Sequence, residues 1–133
     1  VSPWPVNSRI SPMVYLALIK VKKFHLYIAD LEPHRGAEPG KQRPVVVVQT
    51  DLLNTQHPTV IVCPATTNIK PGVETLRVHI GDADKALKAP SDVMVDQLRA
   101  IDTSRLKKEL GKLTMPQSKK IESALARLLD LTA

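Results

Sequence analysis

The pattern of hydrophobic and polar residues predicts several short strands followed by one helix. Two segments, residues 45–49 and 59–63, contain unbroken apolar runs at 45–48 and 60–63, which are typical of strands buried on both faces. Proline cannot donate to a strand ladder, so we expect the first strand to begin at Pro44 and the second to end before Pro64.

A third segment, residues 73–80, alternates and predicts a strand with one face in solvent. Its inward side chains are Leu76, Val78 and Ile80, and Arg77 and His79 point outward. Residues 13–31 are prone to β-structure, and residues 93–95 predict a further short strand. The prolines and glycines of residues 32–42 predict a long loop.

The segment near the C-terminus predicts one amphipathic helix. Thr114 and Gln117 have the spacing of a capping box, and Pro116 is tolerated in a first helical turn. An apolar stripe then follows at helical spacing, with charged residues outward; the stripe is Ile121, Ala124, Leu125 and Leu128, and the outward residues are Lys119, Lys120, Glu122 and Arg127. The predicted class is mainly β with helices (α+β), a small twisted sheet or barrel with a C-terminal helix.

Composition and charge limit the number of domains and the kinds of partner that the sequence allows. The 133 residues fit one domain, and 19 Lys and Arg against 13 Asp and Glu give a net charge of +6. A basic surface favours an anionic partner, that is nucleic acid, anionic lipid or an acidic protein, although a solvated surface explains the charge equally well. The apolar run 13–19 is too short for a membrane span and lacks the layout of a signal peptide. With Cys63 the only cysteine, we expect a cytoplasmic protein without disulfides.

Most familiar catalytic motifs are missing from the sequence. The four histidines do not have metal-ligand spacing, the glycines form no phosphate loop, and Cys63 lies within an apolar run typical of a core residue. We therefore expect no metal and no cofactor. Polar residues at strand ends remain, and paired strands would bring them to one rim; they are Arg43, Thr66, Thr67, Asp96 and Gln97. Alternatively, Arg43 pairs with Glu38 and the threonines are ordinary turn residues.

An ordered set of motifs resembles the MazF/PemK family of toxin endoribonucleases. The set covers most of the chain from about residue 23. It consists of YIADLEP at 27–33, GAE at 36–38, RPVVV at 43–47, Asn54, PATT at 64–67 and DQLR at 96–99. The resemblance implies a toxin domain over residues 23–133, preceded by an N-terminal extension with a possible extra strand over 1–22.

The resemblance also implies a fold, an activity and partners. The fold is a small SH3-like β-barrel with a C-terminal helix, which works as a homodimer. The activity is sequence-specific, metal-independent cleavage of single-stranded mRNA to 2′,3′-cyclic phosphate and 5′-hydroxyl ends. A cognate antitoxin with an acidic disordered tail neutralises the toxin.

Site residues follow by position in these motifs. Arg43 and Thr66 match the family's catalytic Arg and Thr. The RNA-binding residues expected from position and charge are Glu38, Lys41, Thr67, Asn68, Lys70 and Gln97. His34, in the loop before Arg43, is the candidate for the general base, because imidazole accepts a proton near neutral pH.

Two departures from the family pattern matter. Many members open the first strand with Gly-Asp, where this chain has Phe24-His25. Some relatives use a His before the loop Glu and an Arg before Asp-Gln, where this chain has Ala37 and Met94. Alternative functions are a toxin of the same fold that binds DNA gyrase, a non-catalytic nucleic-acid-binding module, and a structural domain without a site.

Overall fold

Seven strands and a C-terminal helix make up most of the chain in the residues that the computed structural model describes, namely 20–31, 41–72, 76–83 and 85–131. The strands are β1 His25–Asp30, β2 Gln42–Val47, β3 Thr59–Thr66, β4 Arg77–Gly81, β5 Ser91–Met94, β6 Arg99–Asp102 and β7 Leu106–Lys112. A short helix α1 spans Asp51–Asn54, helix α2 spans Met115–Leu128, and 3-10 turns span Val95–Gln97 and Thr103–Arg105.

The strands form one antiparallel sheet in the order β4-β5-β3-β2-β1-β7, and β6 pairs with β3. Among the described strands, the two end strands β4 and β7 do not pair with each other, so the sheet is barrel-like but open. The predicted class, mainly β with a C-terminal helix, is confirmed. The predictions for residues 1–19 and for most of the loop 32–42 lie outside the described residues.

The consecutive valines are buried on both faces of the sheet, as predicted. Val46 belongs to an apolar cluster with Leu26, Cys63 and the helix residue Ile121. Its neighbours Val45 and Val47 belong to a second cluster on the opposite face, together with other side chains that are fully buried. The alternation of a strand therefore divides one valine run between two cores.

Prolines are placed differently from the prediction. Pro44 is the third residue of β2, since Gln42 and Arg43 already pair with β1. Strand β3 continues through Pro64 to Thr66, so the prediction that it ends before Pro64 was wrong. Pro64 lies between the part of β3 that pairs with β6 and the part that pairs with β5. The missing N–H group of Pro64 therefore removes no hydrogen bond from either ladder.

Helix α2 begins with the predicted capping box. The Gln117 amide donates to Thr114 Oγ1 at 3.3 Å, and the Thr114 amide donates to Gln117 Oε1 at 2.9 Å. Ile121 and Ala124 are fully buried, but Leu128 is 39% exposed, so the predicted stripe ends before the last turn. The predicted alternation holds for Val78 and Ile80 of β4, which are buried, whereas the inward prediction for Leu76, 38% exposed just before the strand, was wrong.

Candidate active site

Arg43 and Thr66 lie on adjacent strands. Strands β2 and β3 are antiparallel, with Val45 opposite Pro64. Arg43 and Thr66, the last residue of β3, each lie two residues beyond this pair, at the same end of the two strands. Side chains two residues apart on a strand point to the same face, so we expect both side chains on one face of the sheet. Both residues are half-buried, so each side chain keeps access to solvent.

The loop after Thr66 is held by two hydrogen bonds. Thr66 Oγ1 accepts from the Asn68 amide at 3.1 Å, and the Arg77 guanidinium donates to the Asn68 carbonyl at 2.8 Å. Thr67, Asn68 and Lys70 are all exposed. The Thr66 hydroxyl uses a lone pair in this contact and keeps its proton for donation to another group.

Two further polar residues continue the line from Arg43 and Thr66 across the sheet. Asp92 on β5 lies opposite Thr66, and His79 on β4 lies opposite Asp92. Asp92 is 5% exposed, and its Oδ1 lies 2.9 Å from His79 Nδ1. A carboxylate only accepts, so the imidazole donates through Nδ1 and turns Nε2 away from Asp92. We call Arg43, Thr66, Asp92 and His79 the polar row.

Gln97 lies in the 3-10 turn between β5 and β6. The registers of β5 and β6 against β3 differ by three residues, which is the length of this turn. The residues of the turn are therefore not paired with β3, and Gln97 lies beside the middle of that strand. Its side chain is half-buried. Two residues later, Arg99 Nη1 is buried and has no hydrogen-bond partner within the part of the chain that the structure describes.

The remaining predicted site residues belong to the segment before β2. Lys41 is exposed at the entrance to this strand, with a positive φ of 63°. Glu38 and the candidate base His34 lie outside the described residues, so their roles stay predictions.

Cys63 is a core residue, as the sequence indicated. Its side chain is fully buried between the sheet and α2, and burial, together with the negative charge of Asp96, raises the pKa of the thiol to about 12. A thiol that stays protonated is a poor nucleophile. Within the described ranges, no three His, Cys, Asp or Glu side chains are grouped so as to hold a metal ion, and no helix is long and apolar enough to cross a membrane.

Comparison with known proteins identifies the family of the chain. Residues 22–129 match the family model of the PemK-like, MazF-like toxins of type II toxin–antitoxin systems. The chain belongs to this family. Endoribonuclease MazF of Staphylococcus saprophyticus is 34% identical over 111 residues, which cover 84% of this chain and 92% of that protein.

Solved structures of MazF-type proteins share the fold. Mycobacterium tuberculosis toxin MazF-mt6 superposes with a TM-score of 0.69 at 28% identity, over 82% of this chain and 99% of that one. A mycobacterial endoribonuclease in complex with its cognate antitoxin gives a TM-score of 0.67 at 24% identity, over 84% of this chain and 96% of that one.

The first turn shows how this member departs from the family pattern. Phe24, which stands where many members have Gly, has a φ of 63°. This conformation is unfavourable for a bulky side chain. Two hydrogen bonds hold it there, from the Phe24 amide to the Val47 carbonyl and from the Leu113 amide to the Phe24 carbonyl. These hydrogen bonds hold the backbone of this chain's turn in that conformation at a residue other than glycine.

Asp92 was absent from the predicted site residues, and Arg77 and His79 were predicted as outward residues of a strand. Their sequence signal was weak, because alternation placed Arg77 and His79 on a solvent face without indicating a partner. The pairing of β4 with β5 and of β5 with β3 is what connects them to Thr66.

Proposed function

We propose that this toxin is a metal-independent endoribonuclease that cleaves single-stranded mRNA at short sequences, with Arg43 and Thr66 as its catalytic residues. The observation that carries the proposal is that Arg43, near the start of β2, and Thr66, at the end of β3, lie at the same end of two adjacent antiparallel strands. Membership of the MazF-like toxin family and the likeness to a protein named endoribonuclease support the reaction class.

The chemistry proposed is attack by the neighbouring 2′-hydroxyl on the scissile phosphate. The 2′-oxygen forms a bond to phosphorus as it loses its proton, and the bond to the 5′-oxygen breaks as that oxygen gains one. The products are a 2′,3′-cyclic phosphate and a 5′-hydroxyl. The base that accepts the 2′-proton is His34 in this proposal.

Arg43 and Thr66 act on the charge that develops on the non-bridging phosphate oxygens. A guanidinium is planar and offers a fork of donors that matches phosphate oxygens, while the threonine hydroxyl adds a neutral donor. Donors that are already in place where charge develops lower the activation barrier by several kcal/mol. Arg43 is not assigned as the base, because arginine stays protonated in proteins.

The proposed RNA path uses the exposed loop next to the polar row. Thr67, Asn68 and Lys70 are exposed beside Thr66, and Gln97 lies in the 3-10 turn alongside β3. Glu38 and Lys41 complete the proposed contacts on the side of β2. The chain has few aromatic residues to stack on bases, so hydrogen bonds from these loops would read the sequence.

Two protein partners belong to this proposal. A cognate antitoxin with an acidic disordered tail would compete with RNA for the basic surface, which suits the net charge of +6. A second copy of the chain would form a homodimer. Apolar side chains left exposed support an interface, such as Leu52 at 84% and Ile61 at 39% exposure.

The decisive test is the exposure of mixed-sequence RNA to purified protein in EDTA, followed by sequencing of the new ends. Wild type should give 5′-hydroxyl ends at a short common sequence. Arg43→Ala should lower the rate by at least about 10²-fold, the cost of one lost donor to a transition-state oxyanion. Arg43→Lys is the matched variant, since it keeps the charge but loses the fork.

Three outcomes would contradict the proposal: intact RNA, full activity of Arg43→Ala, or activity that vanishes with the chelator. Growth arrest by a protein that leaves RNA intact would instead indicate a toxin that binds a protein target. Far-UV circular dichroism and size-exclusion chromatography of each variant separate a lost catalytic group from a lost fold or a lost dimer.

A further inference from the structure

A basic groove lies between β4 and α2, beside the polar row. Its volume is about 430 Å³, and five of the side chains that line it are or can become cationic; they are Arg77, His79, Lys119, Lys120 and Arg127. Among the described residues, no carboxylate lines the groove. Glu122 is on the same helix but is not part of the lining.

The helix supplies three of these charges, from Lys119, Lys120 and Arg127. Lys119, Ser123 and Arg127 follow at intervals of four residues, so these two cations and the serine share a face of the helix. All three are exposed, as is Lys120. Cations on an exposed helix face are usually only solvated. Here the helix cations also line a groove together with Arg77 and His79 of β4.

The walls of the groove are held in place by packing and a hydrogen bond. Ile121 and Ala124 of α2 are fully buried in the same apolar cluster as Val78 and Ile80 of β4. The Gln117 side-chain amide also donates to the Ile80 carbonyl at 3.2 Å. The groove therefore exists before any ligand binds, which lowers the entropy cost of binding.

Two contacts join the groove to the candidate active site. Arg77, in the wall, donates to the carbonyl of Asn68 in the loop after Thr66. His79, also in the wall, is held by Asp92, whose strand partner is Thr66. Adjacent strands lie about 4.8 Å apart, so β4 is about 10 Å from Thr66 across β5. A chain bound at the polar row therefore reaches the groove within a short distance.

We infer that this groove binds phosphates of the RNA that flanks the scissile bond, so that the single strand runs from Arg43 and Thr66 across β5 and around the end strand β4 into the groove beside α2. The inference rests on the proposed function. Single strands without base readout are held by positively charged grooves that follow the backbone, and lysine and arginine side chains suit that role.

The test uses two matched lysine pairs. In the groove variant, Lys119→Gln is combined with Lys120→Gln. In the control, Lys107→Gln is combined with Lys108→Gln on β7, at the other end of the strand order. Both pairs are adjacent and exposed, and both variants lower the net charge by the same amount, so general attraction to RNA changes equally.

Binding is measured with a fluorescent 2′-O-methyl RNA of mixed sequence and about 20 nucleotides, longer than a small-domain site. This probe lacks the attacking hydroxyl and stays intact. Each phosphate contact adds about 0.7 to the slope of log K against log salt for single strands, so the groove variant should lose about 1.4. If the variant and the wild type bind equally at about 1 M salt, this difference in slope makes the groove variant bind about 25-fold more weakly at about 0.1 M salt.

The control pair should change the affinity much less, and thermal melting should show both variants folded. Equal affinities and slopes for the two variants would overturn the inference. So would a groove variant that weakens binding of polyglutamate but not of RNA, which would assign the groove to an acidic polypeptide. If wild type cleaves RNA in either case, the proposed function stands and only the groove assignment fails. If wild type neither binds nor cleaves RNA, the proposed function fails.

Discussion

Thr66→Val removes the hydroxyl of Thr66 while keeping the shape and β-branching of the side chain. In the structure that hydroxyl accepts from the Asn68 amide at 3.1 Å and lies at the end of β3 next to Arg43. The substitution therefore removes one local hydrogen bond and one proposed donor to the phosphate. The lost hydrogen bond should lower the free energy of unfolding slightly, and the lost donor should lower the cleavage rate strongly, so the two effects can be measured separately.

The local hydrogen bond contributes little to stability. Its net value is about 0.5–1.5 kcal/mol, and because Asn68 is exposed, water can replace the lost partner. A domain stable by about 5–15 kcal/mol stays folded after such a loss. Removing a donor from a developing oxyanion costs about 2.7–4 kcal/mol, which lowers kcat by about 10²–10³-fold. A fall in rate of that size would thus not come from unfolding.

The assay follows single-turnover cleavage of RNA that carries the sequence found by end mapping, with urea unfolding measured alongside. Thr66→Ser keeps the hydroxyl and should retain activity within about 10-fold, well above the Thr66→Val level. Thr59→Val is the matched control, since Thr59 is the first residue of the same strand and is also half-buried. A Thr66→Val enzyme as fast as the Thr59→Val control would refute the role of the hydroxyl.

Two further predictions concern stability. Ile121→Ala should lower the free energy of unfolding by about 2–5 kcal/mol in urea, because Ile121 is fully buried. Leu128→Ala, at a position 39% exposed on the same helix, should cost far less. Equal losses for the two variants would contradict the assignment of the buried helix face. Tyr27 donates to the Lys20 carbonyl, and burial raises its pKa to about 12. The folded pKa lies above the unfolded value of 10.0, so its contribution is complete below pH 10 and is lost as pH rises towards 12. Tyr27→Phe should flatten this alkaline loss of stability in urea unfolding experiments. If the wild type and Tyr27→Phe lose stability in parallel between about pH 9 and about pH 12, the prediction is contradicted.

Local physics explains the elements that the sequence predicted well. The valine run identified a strand buried on both faces, because only a doubly covered strand lacks polar alternation. The start of α2 followed from Thr114 and Gln117, whose side chains reach the amide groups of the first turn within the same segment. Neither prediction needed information about distant residues.

Other elements depend on contacts far along the chain. Strand β7 has exposed lysines and a single fully buried side chain, Leu106, so its sequence lacks a clear strand pattern. Its backbone pairs with β1, more than 70 residues away in sequence, and charged side chains suit a strand at the end of a sheet. The passage of β3 through Pro64 likewise depends on where β5 and β6 lie beside it.

The sequence by itself determined the two strands built on consecutive apolar residues, β2 and β3, the capped helix and, through its motif resemblance, the choice of Arg43 and Thr66. Only the tertiary structure decided which polar side chains stand next to them. Asp92 and His79 join the polar row because the hydrogen-bond register of three strands aligns them on one face. The groove arises because α2 packs its apolar face on β4 and leaves its cations beside Arg77. Register and packing are long-range, and no local pattern contains them.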